Sequence, residues 1–232
     1  MRPYRLARAH EQEVSALARR LEAGDDLREV LSLEESEGLR TLRTPKRRRD
    51  RLAGRLAAKR LIAEILGEQE GRALPLSEVL VLNAQDGSPY CASWTDPRMP
   101  CLSISHSRGS AAAALSKPGA RIGVDLEAVE KRPASWTEVF AHPEEQARLG
   151  SAQEQTRLWT LKEAALKLLG LGLSVDMRDV RFTGPSDQDV ELHRGARARW
   201  EALSCPRMRF DSFQTGDEIL SVAYTPDEEV PA

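Results

Sequence analysis

The segment that most restricts the fold is Arg121–Glu127, in which apolar and polar residues alternate. Its apolar residues would face one side of a half-buried strand. Gly123, Asp125 and Glu127 would face the other side, where Gly123 lets another group approach the backbone closely. Two carboxylates on one strand face repel each other unless water or a cation neutralises them, and Mg²⁺ prefers such oxygen ligands. The stretch therefore predicts a strand with either a solvated acidic face or a cation site.

A second informative stretch is residues 159–167, which read Trp-Thr-Leu-Lys-Glu-Ala-Ala-Leu-Lys. Its residues favour a helix that ends near Gly170. Glu163 and Lys167 lie four positions apart, so their side chains leave the same face of that helix. Such a pair is ordinarily a weak ion pair on a protein surface. The acidic strand upstream favours a functional role over that interpretation.

Composition is ordinary for a soluble globular protein of 232 residues, and the formal net charge is only −2. The length fits one large domain or two small ones. The charge balance gives no general attraction to nucleic acid or to an anionic membrane. No secretory signal or membrane-spanning stretch is visible, and three widely spaced cysteines favour a reducing compartment over a disulfide framework or a zinc site. We therefore expect a cytoplasmic protein that does not bind membranes.

Helical patterns dominate the first third of the chain. Residues 11–23 have helical spacing, and Ser32-Leu33-Glu34-Glu35 has the form of a capping box. Thr44-Pro45 predicts the start of a further helix that runs to Gly67. Strand patterns follow, and Lys117-Pro118-Gly119 is the best internal break. We therefore predict two halves, residues 1–117 and 118–232.

The helix that begins at Thr44 is rich in lysine and arginine, and this basic cluster has three interpretations. It can be a solvated face, which is the ordinary meaning of such a pattern. It can be a nucleic-acid surface, although few aromatic residues accompany it. It can also be a phosphate site, because Arg51, Arg55 and Lys59 recur every four positions and form one stripe.

Strands are predicted at 102–107 and 111–115, and a hairpin is predicted from 208–213 and 219–224. Asp86-Gly87-Ser88-Pro89 is a turn signal. Ser105, His106 and Ser107 place hydroxyl groups and an imidazole at one strand end. A structural histidine beside a turn explains them equally well, since no acid within reach marks a catalytic triad.

Four motifs together resemble one family. They are, in chain order, the turn at 86–89, the strand at 102–107, Gly123-Val124-Asp125-Leu126-Glu127 and the helix at 159–167. In this order they resemble the 4′-phosphopantetheinyl transferases of the surfactin-synthetase-activating type. The resemblance covers roughly residues 30–175, because the motifs and the Ala53-Gly54-Arg55 helix all fall within that range.

The resemblance implies an α+β fold: a pseudo-dimer of two similar α+β halves with the active site in the cleft between them. It implies transfer of the 4′-phosphopantetheine arm of coenzyme A to a serine of an apo acyl or peptidyl carrier protein, with release of 3′,5′-ADP. The N-terminal half would bind the nucleotide and the C-terminal half would hold Mg²⁺. The expected partners are coenzyme A and carrier domains of fatty-acid, polyketide or nonribosomal-peptide synthases, and the two-half type acts as a monomer.

The same resemblance assigns site residues. Asp125, Glu127 and Glu163 would ligate Mg²⁺, and Lys167 and His106 would contact coenzyme A phosphates. Residues 87–89, which are Gly87, Ser88 and Pro89, would lie beside the nucleotide, and Ser105 would lie near a phosphate. Ser88 departs from the family pattern, which commonly has lysine there. Gly38 stands where the family has a basic residue, and Arg40 or Arg43 is the nearest substitute. Arg51 or another cation of the basic helix would compensate for Ser88.

The chemistry leaves further alternatives open. Glu163 is our hypothesis for the base that takes the proton of the carrier serine, directly or through a metal-bound water, although metal ligation weakens a carboxylate as a base. The alternative functions are a non-catalytic module that binds coenzyme A or a carrier protein, and a nucleic-acid binder. The carrier docking surface is a weaker expectation, at the rim that includes Leu171–Met177.

Overall fold

The computed structural model describes residues 2–94, 100–133, 135–184 and 186–226, and these form an α+β fold. The chain divides into two compact units. The N-terminal unit is Arg5–Pro118, and the C-terminal unit begins at Gly119 and includes the first residues up to Tyr4. Across the described ranges, no helix is both long and apolar enough to cross a membrane.

The N-terminal unit is built on a three-stranded sheet, with the order β1-β5-β4, and on one long helix, α3. A separate two-stranded hairpin is formed by β2 and β3. In chain order the elements are β1 (Tyr4–Ala9), α1 (Glu11–Glu22), α2 (Leu33–Arg40), α3 (Pro45–Glu70), β2 (Val81–Asn83), β3 (Pro89–Cys91), β4 (Pro100–Ser107) and β5 (Ser110–Pro118).

Local chemistry explains the ends of the helices in this unit. The Thr44 side chain caps α3, and Pro45 occupies its first turn, as predicted. The predicted end at Gly67 is wrong, because α3 continues to Glu70 and stops at Gly71, whose φ of +67° suits glycine. Ser32 and Glu35 form the predicted capping box of α2. The small and aliphatic residues of α3 form one buried core with the sheet.

The C-terminal unit has its own three-stranded sheet, with the order β6-β10-β9, and its own long helix, α6. Short strands β7 and β8 form a separate hairpin. In chain order the elements are β6 (Ile122–Ala128), α4 (Ser135–Phe140), α5 (Pro143–Gln146), α6 (Ala152–Leu168), β7 (Val180–Phe182), β8 (Val190–Leu192), α7 (Arg194–Ala202), β9 (Arg209–Thr215) and β10 (Glu218–Tyr224).

Each unit repeats the same internal arrangement. In both sheets the last strand of the unit lies in the middle and pairs with the first and the penultimate strands. In both units a long helix precedes a small hairpin. No repeat is visible in the amino-acid sequence, although the family resemblance implied two similar halves. The hairpin of β9 and β10, which turns at Gly216, was predicted, whereas β1 and α7 were not.

Candidate active site

The helix that carries Glu163 is defined by clear end signals. Ser151 caps α6, and its hydroxyl accepts a hydrogen bond from the backbone nitrogen of Glu154. The Glu154 carboxylate in turn accepts a hydrogen bond from the backbone nitrogen of Ser151, which completes a capping box. The helix is followed by Gly170 at a φ of +71°, as the sequence predicted. Glu163 and Lys167 therefore lie in the C-terminal half of a regular helix, one turn apart.

Strand β6 lies directly beneath this helix. A Cβ atom built on Gly123 would come within 2.5 Å of the backbone nitrogen of Leu168, and closer still to the carbonyl oxygen of Ala164. The group that approaches Gly123 is therefore α6 itself. The expectation of a half-buried strand is wrong for this reason: the helix covers the acidic face, and Asp125 is only 3% exposed.

The ammonium group of Lys167 bridges the helix and the strand. Its Nζ donates to Oδ1 of Asp125 at 2.7 Å and to the carbonyl oxygen of Val124 at 3.1 Å. The Asp125 side chain is almost fully buried and that of Lys167 is about a quarter exposed. A point charge in this position neutralises part of the charge of Asp125 and still reaches the solvent side of the site.

Glu163 lies among the two acids of the strand. It is buried, and its pKa is raised to about 7, first by burial and then by the negative charges of Asp125 and Glu127. The positive charge of Lys167 acts in the opposite direction. Asp125 and Glu127 therefore lie close enough to change the pKa of Glu163, although Glu163 is far from them in the sequence. We call these three residues the acidic cluster.

Glu127 is the most accessible of the three acids. Its carboxylate lies 3.7 Å from a guanidinium nitrogen of Arg132. The same guanidinium stacks over the ring of Trp136, 4.3 Å from its centroid. Arg132 therefore borders the acidic cluster at its most accessible residue, Glu127. We did not predict a role for Arg132 from the sequence.

The acidic cluster has the donor chemistry of a magnesium site, but its side chains are not gathered around one point. Among the described residues, no three His, Cys, Asp or Glu side chains are grouped closely enough to hold a metal ion as they stand. Lys167 supplies the positive charge beside Asp125 instead. Hard carboxylate oxygens whose repulsion raises the pKa of Glu163 still fit a divalent cation. The three-ligand magnesium site stays a prediction.

The N-terminal unit contains a pocket of about 550 Å³. Arg51 and Arg55 both donate to Oδ1 of Asn83, and the amide nitrogen of Asn83 donates to the carbonyl oxygen of Gly87 at 2.6 Å. These contacts join the basic face of α3 to the predicted turn. The lining includes four of the residues that the family resemblance assigned to coenzyme A, namely Arg51, Gly87, Pro89 and His106.

Besides Lys167 of the C-terminal unit, two predicted coenzyme A contacts lie outside this lining. Ser88 is exposed, and its hydroxyl donates to Oδ1 of Asp86 at 2.6 Å. Ser105 is buried and follows Ile104 on β4, so it faces the opposite side of the strand from His106 and Ile104, which line the pocket. Their roles beside coenzyme A stay predictions.

The predicted phosphate stripe of α3 requires a correction. Lys59 has no exposed surface and forms an ion pair with buried Glu35. A lysine held in this way is a core residue and cannot be the third member of a ligand stripe. Arg55 is also buried, but its guanidinium lines the pocket, and Arg51 is exposed. The basic surface available to a ligand is therefore formed by the first turns of α3 and not by its middle.

The two long helices differ at the positions that matter in α6. Each helix has a buried lysine, Lys162 in α6 and Lys59 in α3. In α6 the residues one and five positions later are Glu163 and Lys167. In α3 the residues at the same spacing are Arg60 and Glu64. Arg60 pairs with Glu13 at 2.7 Å, and Glu64 pairs with Arg5 at 2.5 Å. The charges at these two positions are therefore opposite in sign in the two helices. In the N-terminal unit both residues form ion pairs, whereas Glu163 in the C-terminal unit belongs to the acidic cluster.

Comparison with known proteins agrees with this geometry. Residues 121–228 match the family model described as the 4′-phosphopantetheinyl transferase superfamily. The matched segment is a little under half of this chain. It contains Asp125, Glu127, Glu163 and Lys167, so the acidic cluster lies wholly within the part of the chain that is similar to this superfamily.

Individual proteins are similar to this chain over only part of their length. A phosphopantetheinyl transferase of Thraustochytrium sp. is 30% identical over 192 residues, which is 75% of this chain and 62% of the relative. A holo-[acyl-carrier-protein] synthase of Geobacillus kaustophilus is 41% identical over 69 residues, 30% of this chain and 54% of the relative. The chain thus spans less than two thirds of the lengths of these relatives.

Solved structures are also similar to part of this chain. One of them, the holo-[acyl-carrier-protein] synthase of Neisseria meningitidis, overlaps 46% of this chain and 98% of its own, with 19% identity and a TM-score of 0.39. That overlap is too low to transfer structural detail.

Asn83, which anchors the pocket of the N-terminal unit, was missed from the sequence; its place just before the turn motif was the available signal.

Proposed function

We propose that this chain transfers the 4′-phosphopantetheine arm of coenzyme A to a serine of an apo carrier protein and releases 3′,5′-ADP. The proposal further assigns it to the surfactin-synthetase-activating type. One observation carries the proposal: buried Glu163 shares an electrostatic cluster with Asp125 and Glu127 beside Lys167, within the segment that matches the superfamily model.

The acidic cluster would hold Mg²⁺ through Asp125, Glu127 and Glu163. When bound there, Mg²⁺ neutralises the diphosphate of coenzyme A and stabilises the negative charge that develops on the departing nucleotide. Lys167 contributes a second positive charge to the same phosphates. It would leave Asp125 to do so, and the partial exposure of its side chain favours this. Both charges favour the transition state more than the ground state, since negative charge builds up on the leaving oxygen.

The chemical step is one displacement at phosphorus. The hydroxyl oxygen of the carrier serine forms a bond to the phosphorus of the pantetheine arm, and the bond from that phosphorus to 3′,5′-ADP breaks. We assign acceptance of the serine proton to Glu163. In the metal-free chain, burial and the neighbouring acids raise its pKa to about 7, whereas ligation of Mg²⁺ would lower that pKa and make Glu163 a weaker base.

We assign the nucleotide end of coenzyme A to the pocket of the N-terminal unit. Arg51 and Arg55 present guanidinium groups that suit phosphate, and His106 adds an imidazole to the lining. The pocket volume of about 550 Å³ is within the usual range for small-molecule sites. Ser88 supplies no cation, so Arg51 is the expected substitute for the missing lysine.

We further propose that the chain acts as a monomer in the cytoplasm and has no nucleic-acid partner. None of its three cysteines, all of which the structure describes, forms a disulfide, which is consistent with a reducing compartment. Salt-dependent binding to DNA or RNA would contradict the last point, because neutralised phosphates release counterions.

The decisive experiment is to incubate the chain with coenzyme A, Mg²⁺ and a panel of apo carriers, and then to weigh the intact carriers. We expect a mass increase of one phosphopantetheine group on at least one carrier, and none when EDTA removes the metal. Glu163→Gln is the matched variant, because it keeps the shape of the side chain and removes its charge.

The same experiment separates the alternative function. A chain that binds coenzyme A but modifies no carrier at any metal concentration is a binding module and not a transferase. Near-normal turnover by Glu163→Gln, with normal metal affinity, would exclude Glu163 as the base but leave the transferase activity intact.

A further inference from the structure

A buried ion pair lies beside the acidic cluster in the C-terminal unit. The Nζ of Lys162 donates to Oε2 of Glu145 at 2.6 Å and to the carbonyl oxygens of Phe140 at 2.9 Å and Met177 at 3.4 Å. Lys162 has no exposed surface and Glu145 is 2% exposed. Lys162 is the residue immediately before Glu163 in α6.

Glu145 extends this network to the backbone of two other segments. Its Oε2 accepts from the backbone nitrogen of His142, the N-cap residue of α5, at 2.7 Å. Its Oε1 accepts from the backbone nitrogen of Phe182 in β7 at 2.8 Å. One buried pair therefore links α6 to the end of α4, the start of α5, strand β7 and the segment before it.

The N-terminal unit contains the same device. Lys59 of α3 pairs with Glu35, which belongs to the capping box of α2. Oε2 of Glu35 accepts from the backbone nitrogen of Ser32 at 2.9 Å, and Oε1 accepts from that of Val81 in β2 at 3.3 Å. Capping-box glutamate, long-helix lysine and hairpin backbone thus recur in both units.

The surroundings of the two pairs differ in one respect. The residue after Lys59 is Arg60, which forms an ion pair with Glu13. The residue after Lys162 is Glu163, which faces repulsion from Asp125 and Glu127. This repulsion acts between α6 and β6 and opposes the attraction of Lys167 for Asp125, whereas Arg60 of α3 and Glu13 of α1 simply attract each other.

We infer that the Lys162–Glu145 pair is a positioning device, which holds α6 in place so that Glu163 stays beside Asp125 and Glu127. A buried ion pair is not in itself a strong source of stability. The observation that supports a positioning role is the set of four segments to which this pair ties the helix, on the residue adjacent to Glu163. The inference rests on the proposed metal site and deepens it.

The test compares two charge-free double variants: Glu145→Gln with Lys162→Met, and Glu35→Gln with Lys59→Met. Both remove a buried pair without leaving a single buried charge. The probe is Mn²⁺, whose free concentration is followed by electron paramagnetic resonance in the absence of substrates. Thermal unfolding of the metal-free proteins measures the structural cost of each change.

We expect both double variants to unfold at similarly lowered temperatures, whereas only the variant of the C-terminal pair should bind Mn²⁺ about tenfold or more weakly, as loss of support behind metal ligands does. Equal Mn²⁺ affinities in the two variants would overturn the inference. Lys162→Arg and Lys59→Arg provide a milder comparison that keeps the charge, and the same difference is expected there.

The failure of the proposed metal site has a different signature. Wild-type protein that binds no Mn²⁺ at millimolar concentrations would overturn the site itself, and the positioning role with it. Wild-type protein that binds Mn²⁺, together with an unaffected variant of the C-terminal pair, would overturn only the positioning role.

Discussion

The backbone of Gly123 lies against the carbonyl oxygen of Ala164 so closely that no side chain fits between them. Gly123 is the residue two positions before Asp125, and Ala164 follows Glu163 directly. This contact therefore sets the separation between the strand and the helix at the acids themselves. A glycine that the sequence marked as a site of close approach brings the two carboxylate-bearing elements together.

Gly123→Ala tests this relationship. The added methyl group must push α6 away from β6, and we expect a loss of about 3 kcal/mol in the free energy of unfolding, at the upper end of overpacking costs. Mn²⁺ affinity should fall with it. Gly38→Ala is the matched control, because a Cβ on Gly38 meets nothing within 4 Å and alanine favours the helix α2. Urea unfolding of both variants measures the difference; equal stability would contradict the packing argument.

The raised pKa of Glu163 predicts an unusual dependence of stability on pH. Its pKa moves from 4.5 to about 7 on folding, so the folded chain holds this proton more tightly than the unfolded chain does. The free energy of unfolding of the metal-free protein should therefore fall as pH rises from about 4.5 to 7. The contribution of this one group is on the order of 3 kcal/mol.

Glu163→Gln removes this titration and keeps the residue neutral. We expect the variant to be more stable than wild type at pH 8 in EDTA, and equally stable near pH 4.5. Urea unfolding at the two pH values gives the comparison. Exposed Glu34→Gln controls for the general effect of one lost carboxylate. A variant that follows the wild-type pH dependence would show that Glu163 does not titrate in this range.

Arg51 should contribute to nucleotide binding. It lines the pocket of the N-terminal unit and is exposed, so we expect Arg51→Ala to cost about 1 kcal/mol, or about fivefold in the Kd for coenzyme A. Calorimetry at low salt is the appropriate measurement, because screening hides such contacts at high salt. Arg19→Ala, on the exposed surface of α1, should have no effect. Unchanged affinity in Arg51→Ala would remove this residue from the site.

Asn83 should act on binding and not on chemistry. Its Oδ1 accepts from both Arg51 and Arg55, so Asn83→Ala frees both guanidinium groups to move. We expect the KM for coenzyme A to rise several-fold with kcat unchanged, as for a loss of uniform binding. Tyr90→Ala, on the adjacent strand of the same hairpin, is the control. A fall in kcat alone would place Asn83 in the chemical step instead.

Sequence patterns were sufficient for features that depend on neighbouring residues. The caps of α2, the start of α3 at Thr44 and Pro45, and the glycine end of α6 all follow local hydrogen-bonding rules. The turn at Gly87 and the hairpin around Gly216 are equally local, because both glycines adopt positive φ angles. Asp125, Glu127, Glu163 and Lys167 were predicted as site residues from their spacing and from the family resemblance, and their roles stay predictions.

Long-range packing decided what local patterns could not. Lys59 and Arg51 belong to one basic stripe in the sequence, yet Glu35 draws Lys59 into the core while Arg51 stays at the pocket. Strand β1 has no strong alternation and forms because β5 offers it a partner. The two units share a sheet order because of contacts between residues that are distant in the chain. Few side chains are the same at corresponding positions, so the sequence does not show this repetition.

The sequence by itself determined which residues are candidates for the chemistry and which turns and caps bound them, because those properties depend on residue type and short spacing. Only the tertiary structure decided which charges meet. Glu163 acquires its high pKa from its burial on α6, which packs against β6, and from acids that lie some 36 to 38 positions away in the chain. Such shifts arise from distance and desolvation in three dimensions, and neither quantity is contained in the order of the residues.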